Sequence, residues 1–270
     1  MSASLIPGLA ALLALLPTLL LGRAGTEYAS RRVFWACLVA FVVGPVSFAA
    51  LLQGEGWRTG LGPALWLAVA ASASLFAMLA AGSAAARRLA PLLAAYLLLV
   101  GILALAWQHL PSRPLRSSDW PAWLPVHIAV AVIAYGLLTI AAVAGTAVVV
   151  QERALRRRAP TSFTRSLPSI ADGEALQLRL LVAVEVLLGL TVVSGFVVNR
   201  GQAGVWFALD HKTILSLLAF AVIGGLLLLH LRLGVSGRRM ARFALVAYLL
   251  LTLAYPGVKL VTDLLIGPRA

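Results

Sequence analysis

Acidic residues, cysteine and histidine are all scarce in this chain. Of 270 residues only nine are Asp or Glu, one is Cys and four are His, and charged residues of every type make up 11%. Soluble domains carry about a quarter charged residues, so a typical globular enzyme is excluded. The lone Cys37 excludes an intrachain disulfide and a cysteine-built metal cluster. No ATP-binding loop, GxSxG, HExxH or CxxC pattern occurs, so neither hydrolysis nor thiol exchange has a motif to rest on. No internal repeat is apparent, which weighs against a transporter made of inverted repeats.

What the chain has instead is apolar length. Hydrophobic residues make up 61% of it and gather into eight runs, roughly 4–22, 33–53, 62–82, 89–107, 122–150, 178–198, 213–233 and 242–266. About 20 apolar residues suffice to cross the hydrocarbon core as a helix. Membrane-spanning strands would alternate polar and apolar residues in shorter segments. The expected fold is therefore all-α, a polytopic membrane helix bundle of about eight transmembrane helices in contact with the lipid bilayer. The first run has no basic segment before Leu5 and is followed by Arg23, so it reads as a retained span rather than a signal peptide.

The basic residues give an orientation. Fifteen of the 22 Lys and Arg fall in the connections after runs 1, 3, 5 and 7, among them Arg87, Arg88, Arg156 to Arg158, Arg238 and Arg239. Basic connections stay cytoplasmic, so both termini are expected on the outer, periplasmic side of a bacterial inner membrane. The net charge of +13 is then an orientation signal and not a nucleic-acid footprint. Six of the seven tryptophans (Trp57, Trp66, Trp107, Trp120, Trp123 and Trp206) map near the outer face and only Trp35 near the inner. They read either as an interfacial aromatic belt or as part of a built outer surface.

Three of the four histidines map to that same outer face. His109 lies in a loop, His127 opens run 5 and His211 precedes run 7, whereas His230 is near the inner end of run 7. His211 and His230 are 19 residues apart, roughly 28 Å of helix, so His127 can meet His211 but not His230. Two neutral imidazoles on facing helices suit haem iron as axial ligands, which makes His127 and His211 candidate metal ligands. The stripe His127, Ala131, Ala134, Leu138, Ala141, Gly145 follows one helical face. Its small residues either admit a macrocycle or serve close helix packing. Near His211, Asp210 can orient an imidazole or cap the helix, and Lys212 or Arg200 can pair with a propionate. Glu185, inside run 6, is costly in lipid unless it faces the bundle, and it is expected to hydrogen-bond His230. Lys259 and Asp263 read as a local ion pair.

Several stretches together resemble the cytochrome c assembly family of integral membrane haem handlers. They are VHIAVAVIAYG (126–136), LPSIADGEAL (167–176), LTVVSGF (190–196), WFALDHKTILSLLAF (206–220), LHLRLGVSGRRMARF (229–243) and LAYPGV (253–258). The likeness is greatest to the small eight-span HemX- and YpjD-like branch. It divides the chain into a variable four-span part, 1–121, and an assembly-like four-span part, 122–270.

The resemblance implies a haem-binding protein that assists cytochrome c biogenesis or haem delivery at the outer face. The cofactor would be haem b, held non-covalently, and the partners other maturation subunits or an apocytochrome. His127 matches the family's outer histidine. The Trp-rich motif ending in WD is matched only by Trp206 and Asp210, with Leu209 in place of the adjoining Trp. Trp206 would flank the ring, and His230 is a weaker, inner-side binding candidate. The family's second outer histidine, after the last span, has no counterpart in 259–270. A regulatory or structural membrane protein without haem is therefore one alternative, and a small transporter using Glu185 and His230 is another.

Overall fold

The computed structural model describes residues 5–24, 31–54, 58–108, 113–114, 123–203, 211–257 and 260. They form eleven α-helices: α1 (Leu5–Leu13), α2 (Leu16–Ala24), α3 (Arg31–Gln53), α4 (Leu61–Gly82), α5 (Ala84–Arg88), α6 (Ala90–Ala106), α7 (Leu124–Arg156), α8 (Ser162–Ser166), α9 (Ile170–Ala203), α10 (His211–Leu233) and α11 (Gly237–Thr252). A π-helical turn, Leu253–Gly257, follows α11 and contains Pro256. One two-residue antiparallel pair, Arg58↔Pro114 and Thr59↔Arg113, ties together the connections before α4 and after α6.

Five segments are long and apolar enough to cross a membrane: Arg32–Gln53, Leu61–Gly82, Leu124–Arg156, Ile170–Val197 and His211–Leu233. The chain is a polytopic membrane helix bundle. Its surface agrees, because α9 presents Val182, Val186, Leu190, Val193 and Val197 outward at helical spacing. A strip of that kind is unfavourable in water and natural against lipid tails. The first run is broken between α1 and α2, just before Pro17, which sits in the first turn of α2 where its missing N–H costs nothing. α7 reaches Arg156, six residues beyond the expected apolar run. At 33 residues it is about 50 Å long, so its arginine-bearing end projects past the hydrocarbon core. α11 starts at Gly237, five residues earlier than the eighth apolar run, and its first turn is basic.

The helices pack as two groups. α3, α4 and α6, with α1 and α2, form one group; α7, α9, α10 and α11 form the other, and α4 joins them by packing on α7. In the first group Trp66 is fully buried, edge-on to Phe48 at 4.8 Å, and Phe41 meets Phe76 at 6.1 Å. Trp66 is thus a core residue and not a member of an aromatic belt, while Trp123 is 61% exposed. The joint between the groups depends on Gly136. A Cβ there would lie 2.8 Å from Leu75 and 3.4 Å from the Ser72 backbone nitrogen of α4. Membrane helices gain their packing contacts by such close backbone approach.

Candidate functional site

α7 and α9 run antiparallel and pack along most of their length. His127 in the first turn of α7 is therefore level with Ser194 in the last third of α9. The His127 Nδ1 and Ser194 Oγ are 2.8 Å apart. Ser194 Oγ is itself 3.1 Å from the Thr191 carbonyl, one turn earlier in α9, and donates to it. Gly195 lies beside the ring, where an added Cβ would touch His127 Cε1 at 3.4 Å. His127 is half-buried, and its Nε2 makes no hydrogen bond among the described residues and is not sealed from its surroundings.

His211 opens α10 at the same end of the bundle and is exposed, with no side-chain hydrogen bond among the described residues. α10 packs chiefly on α9 and α11, and among the described residues no hydrogen bond joins His211 to His127. His109, Trp206, Asp210, Lys259 and Asp263 lie outside the described residues. The small-residue stripe of α7 is packed shut below its first turn. Ala134, Leu138 and Ala141 are buried, and Gly145 lies against Ala241 of α11 and the Gln177 amide of α9. Close helix packing accounts for that part of the stripe.

The opposite end is built differently. Gly234 (φ +64°) and Gly237 (φ +61°) turn the chain from α10 into α11, in backbone conformations that disfavour a side chain. His230 Nδ1 donates to the Val235 carbonyl at 2.7 Å across that turn. Arg238 pairs with Glu152 of α7 at 2.6 Å. The Glu152 and Glu174 carboxylates converge on Gly237 at the start of α11, where negative charge is favoured by the helix dipole. Glu152, Glu174, Gly237 and Arg238 line a cavity of about 380 Å³ together with Arg156 and Arg239.

The expected Glu185–His230 bond is not formed. His230 is turned onto Val235, and Glu185 faces α10 six residues earlier, with Oε1 against Gly224 and Oε2 buried without a partner among the described residues. Six residues of helix are about 9 Å, too far for one bond.

Between the two ends stands a cluster that the sequence did not signal. Tyr96 of α6 hydrogen-bonds Tyr248 of α11; Tyr248 meets Tyr135 of α7 at 3.0 Å; Tyr135 meets Thr252 at 3.1 Å. Thr252 spends its proton on the Tyr248 carbonyl at 2.8 Å. Tyr135 must then donate to Thr252, Tyr248 to Tyr135 and Tyr96 to Tyr248, so the four hydroxyls form one directed chain across three helices. Hydroxyls inside a bilayer need such partners, because no water is there to supply them.

Comparison with known proteins identifies the family. The family described as cytochrome C assembly protein matches residues 57–266. The chain belongs to this family. The match reaches upstream of Leu124 to take in α4 and α6. The chain is also 46% identical, over 271 residues covering 99% of it and 100% of the relative, to an uncharacterized 28.8 kDa protein in the nifR3-like 5' region of Azospirillum brasilense. No solved structure matches. Membership in the assembly family links the chain to cytochrome c biogenesis and to a multi-pass place in a membrane.

Proposed function

We propose that this protein binds haem b non-covalently at the His127 end of its bundle and assists cytochrome c biogenesis by holding or delivering haem at the outer face of a bacterial inner membrane. The observation that carries the reading is the engagement of His127. Its Nδ1 is tied to α9, and its Nε2 has no hydrogen-bond partner among the described residues. A neutral imidazole of that kind would suit haem iron as a ligand. Haem, when bound, would supply an iron for the imidazole lone pair and propionates for basic side chains.

His211 is the second ligand in this reading, with Trp206 beside the ring, Asp210 orienting it and Lys212, exposed at the head of α10, available to a propionate. His230 takes no part in this outer site, because its Nδ1 closes the α10–α11 turn at the far end. Eight spans with both termini outside complete the reading, in the manner of the small HemX-like branch, with maturation subunits or an apocytochrome as partners. The arginine-rich end containing Arg156, Arg238 and Arg239 is then cytoplasmic.

A second reading is a regulatory membrane protein without haem. It is favoured by the absence of histidine after His230. The two are separated by purifying the protein in detergent, loading it with haem and recording the reduced-minus-oxidised spectrum. The first reading expects a haem band in the wild type that is lost in His127→Ala. A colourless wild type, or a band indifferent to His127→Ala, overturns it.

A further inference from the structure

We infer that Ser194 is a positioning residue for His127: it holds the imidazole as the Nδ1–H tautomer and so makes Nε2 the atom that a metal-bearing ligand meets. The inference deepens the haem reading of this site and rests on it for the identity of the ligand.

The hydroxyl protons along one face of α9 can be assigned in turn. The Thr191 hydroxyl donates to the Leu187 carbonyl at 2.8 Å. The Ser194 hydroxyl donates to the Thr191 carbonyl at 3.1 Å. Each hydroxyl has one proton, so Ser194 has none left for the imidazole 2.8 Å away. The proton in that bond must come from His127 itself, on Nδ1. A neutral imidazole protonated at Nδ1 has its lone pair on Nε2. That is the nitrogen with no partner among the described residues.

Ser194 therefore fixes the donor atom, and the bond across α7 and α9 fixes the plane of the ring. A hydrogen bond on the far nitrogen also raises the basicity of the ligating one.

The test uses the full-length protein, purified haem-free in detergent and labelled with 15N at histidine. Long-range proton–nitrogen spectra assign the tautomer of His127, whose signals are identified by their loss in His127→Asn. The expected wild-type result is a protonated Nδ1 and a bare Nε2. Ser194→Ala should shift the ring toward the Nε2–H form, and Ser194→Thr, which keeps the hydroxyl, should restore Nδ1–H. With haem added, Ser194→Ala should lose roughly 10–100-fold in affinity and Ser194→Thr about threefold at most.

An Nε2–H tautomer in the wild type, or a tautomer unchanged by Ser194→Ala, overturns the inference. The wild-type spectrum decides on its own if a variant fails to fold. Because that arm needs no haem, an Nδ1–H wild type that takes up no haem supports the positioning role and overturns the haem reading alone.

Discussion

Each end of the α7–α9–α10–α11 group holds a histidine whose Nδ1 is hydrogen-bonded, and the two bonds differ in reach. His230 bonds a carbonyl five residues away, Val235, and in doing so closes a turn. His127 bonds a side chain 67 residues away and so joins two helices. A local bond of the first kind shapes the backbone and asks nothing of the rest of the fold. A bond of the second kind exists only when the bundle is assembled, so the ring it holds is placed by tertiary structure. Placement of that quality is what a ligand site needs. The charges divide the same way. The His230 end carries the Glu152–Arg238 pair and the carboxylates at the start of α11. Among the described residues the His127 end carries an open ring nitrogen and no ion pair.

The largest effect expected is the contrast between the two histidines. His127→Ala should cost at least about 100-fold in haem affinity, since the ligand itself matters no less than its supporting shell. His230→Ala should leave affinity within about twofold and remove one hydrogen bond, about 1 kcal/mol of stability. Spectral titration of both variants with haem checks the pair. Comparable losses at the two ends would erase the distinction between them.

The sequence made this division only half visible. Hydropathy located the long helices because a bilayer demands about 20 apolar residues and the chain supplies them without interruption. His127 stood out because histidine is rare in such helices. Ser194 did not, since a hydroxyl inside a helix is normally satisfied by the carbonyl three or four residues back, as Ser194 itself is. Its second bond, to a helix 67 residues away, leaves no local trace. Tyr96, Tyr135 and Tyr248 were equally silent, because the contact of Tyr96 with Tyr248 spans 152 residues. The Glu185–His230 expectation failed on register. The expectation put the two side chains at one depth, but the level of α10 that the Glu185 carboxylate meets is that of Gly224. Gln177, fully buried with neither amide atom partnered among the described residues, has no periodic signature either.

The region between the ends offers the next test. Gly145→Leu should force α7 off α9 and α11, since even a Cβ would lie 3.1 Å from the Ala241 backbone and overlap the Gln177 amide. Overpacking of this kind costs about 3 kcal/mol, and a lowered thermal midpoint in detergent would report it. The sharpening lies in what happens to His127. If the cross-helix bond depends on the whole bundle, the variant should lose haem affinity as well, although its site of change is five turns of α7 away from the ring.

A smaller loss is expected at the tyrosine chain. Tyr248→Phe removes the only hydroxyl that both accepts from Tyr96 and donates to Tyr135, so it leaves one donor and one acceptor stranded in an apolar interior. About 2 kcal/mol is the expected cost, measured by the same thermal midpoint. Tyr96→Phe removes only the first link and should cost about half as much, because every remaining hydroxyl keeps its acceptor. Equal losses in the two variants would mean that the hydroxyls act pairwise and not as a directed chain.

The smallest effect belongs to the ion pair at the arginine-rich end. Glu152→Gln breaks the charge pairing with Arg238 and preserves shape. The side chains are 18% and 32% exposed, so water and salt screen much of the attraction, and a loss of about 1 kcal/mol or less is expected. Raising the salt concentration should shrink the difference between variant and wild type, as it does for exposed pairs. Haem affinity should not move, because the pair braces the α10–α11 turn at the end of the molecule where the local bond of His230 already fixes the backbone. A salt-independent loss, or one that carried haem affinity with it, would instead mean that the two ends are mechanically coupled through α7, and the division between a braced end and a ligand-bearing end would have to be redrawn.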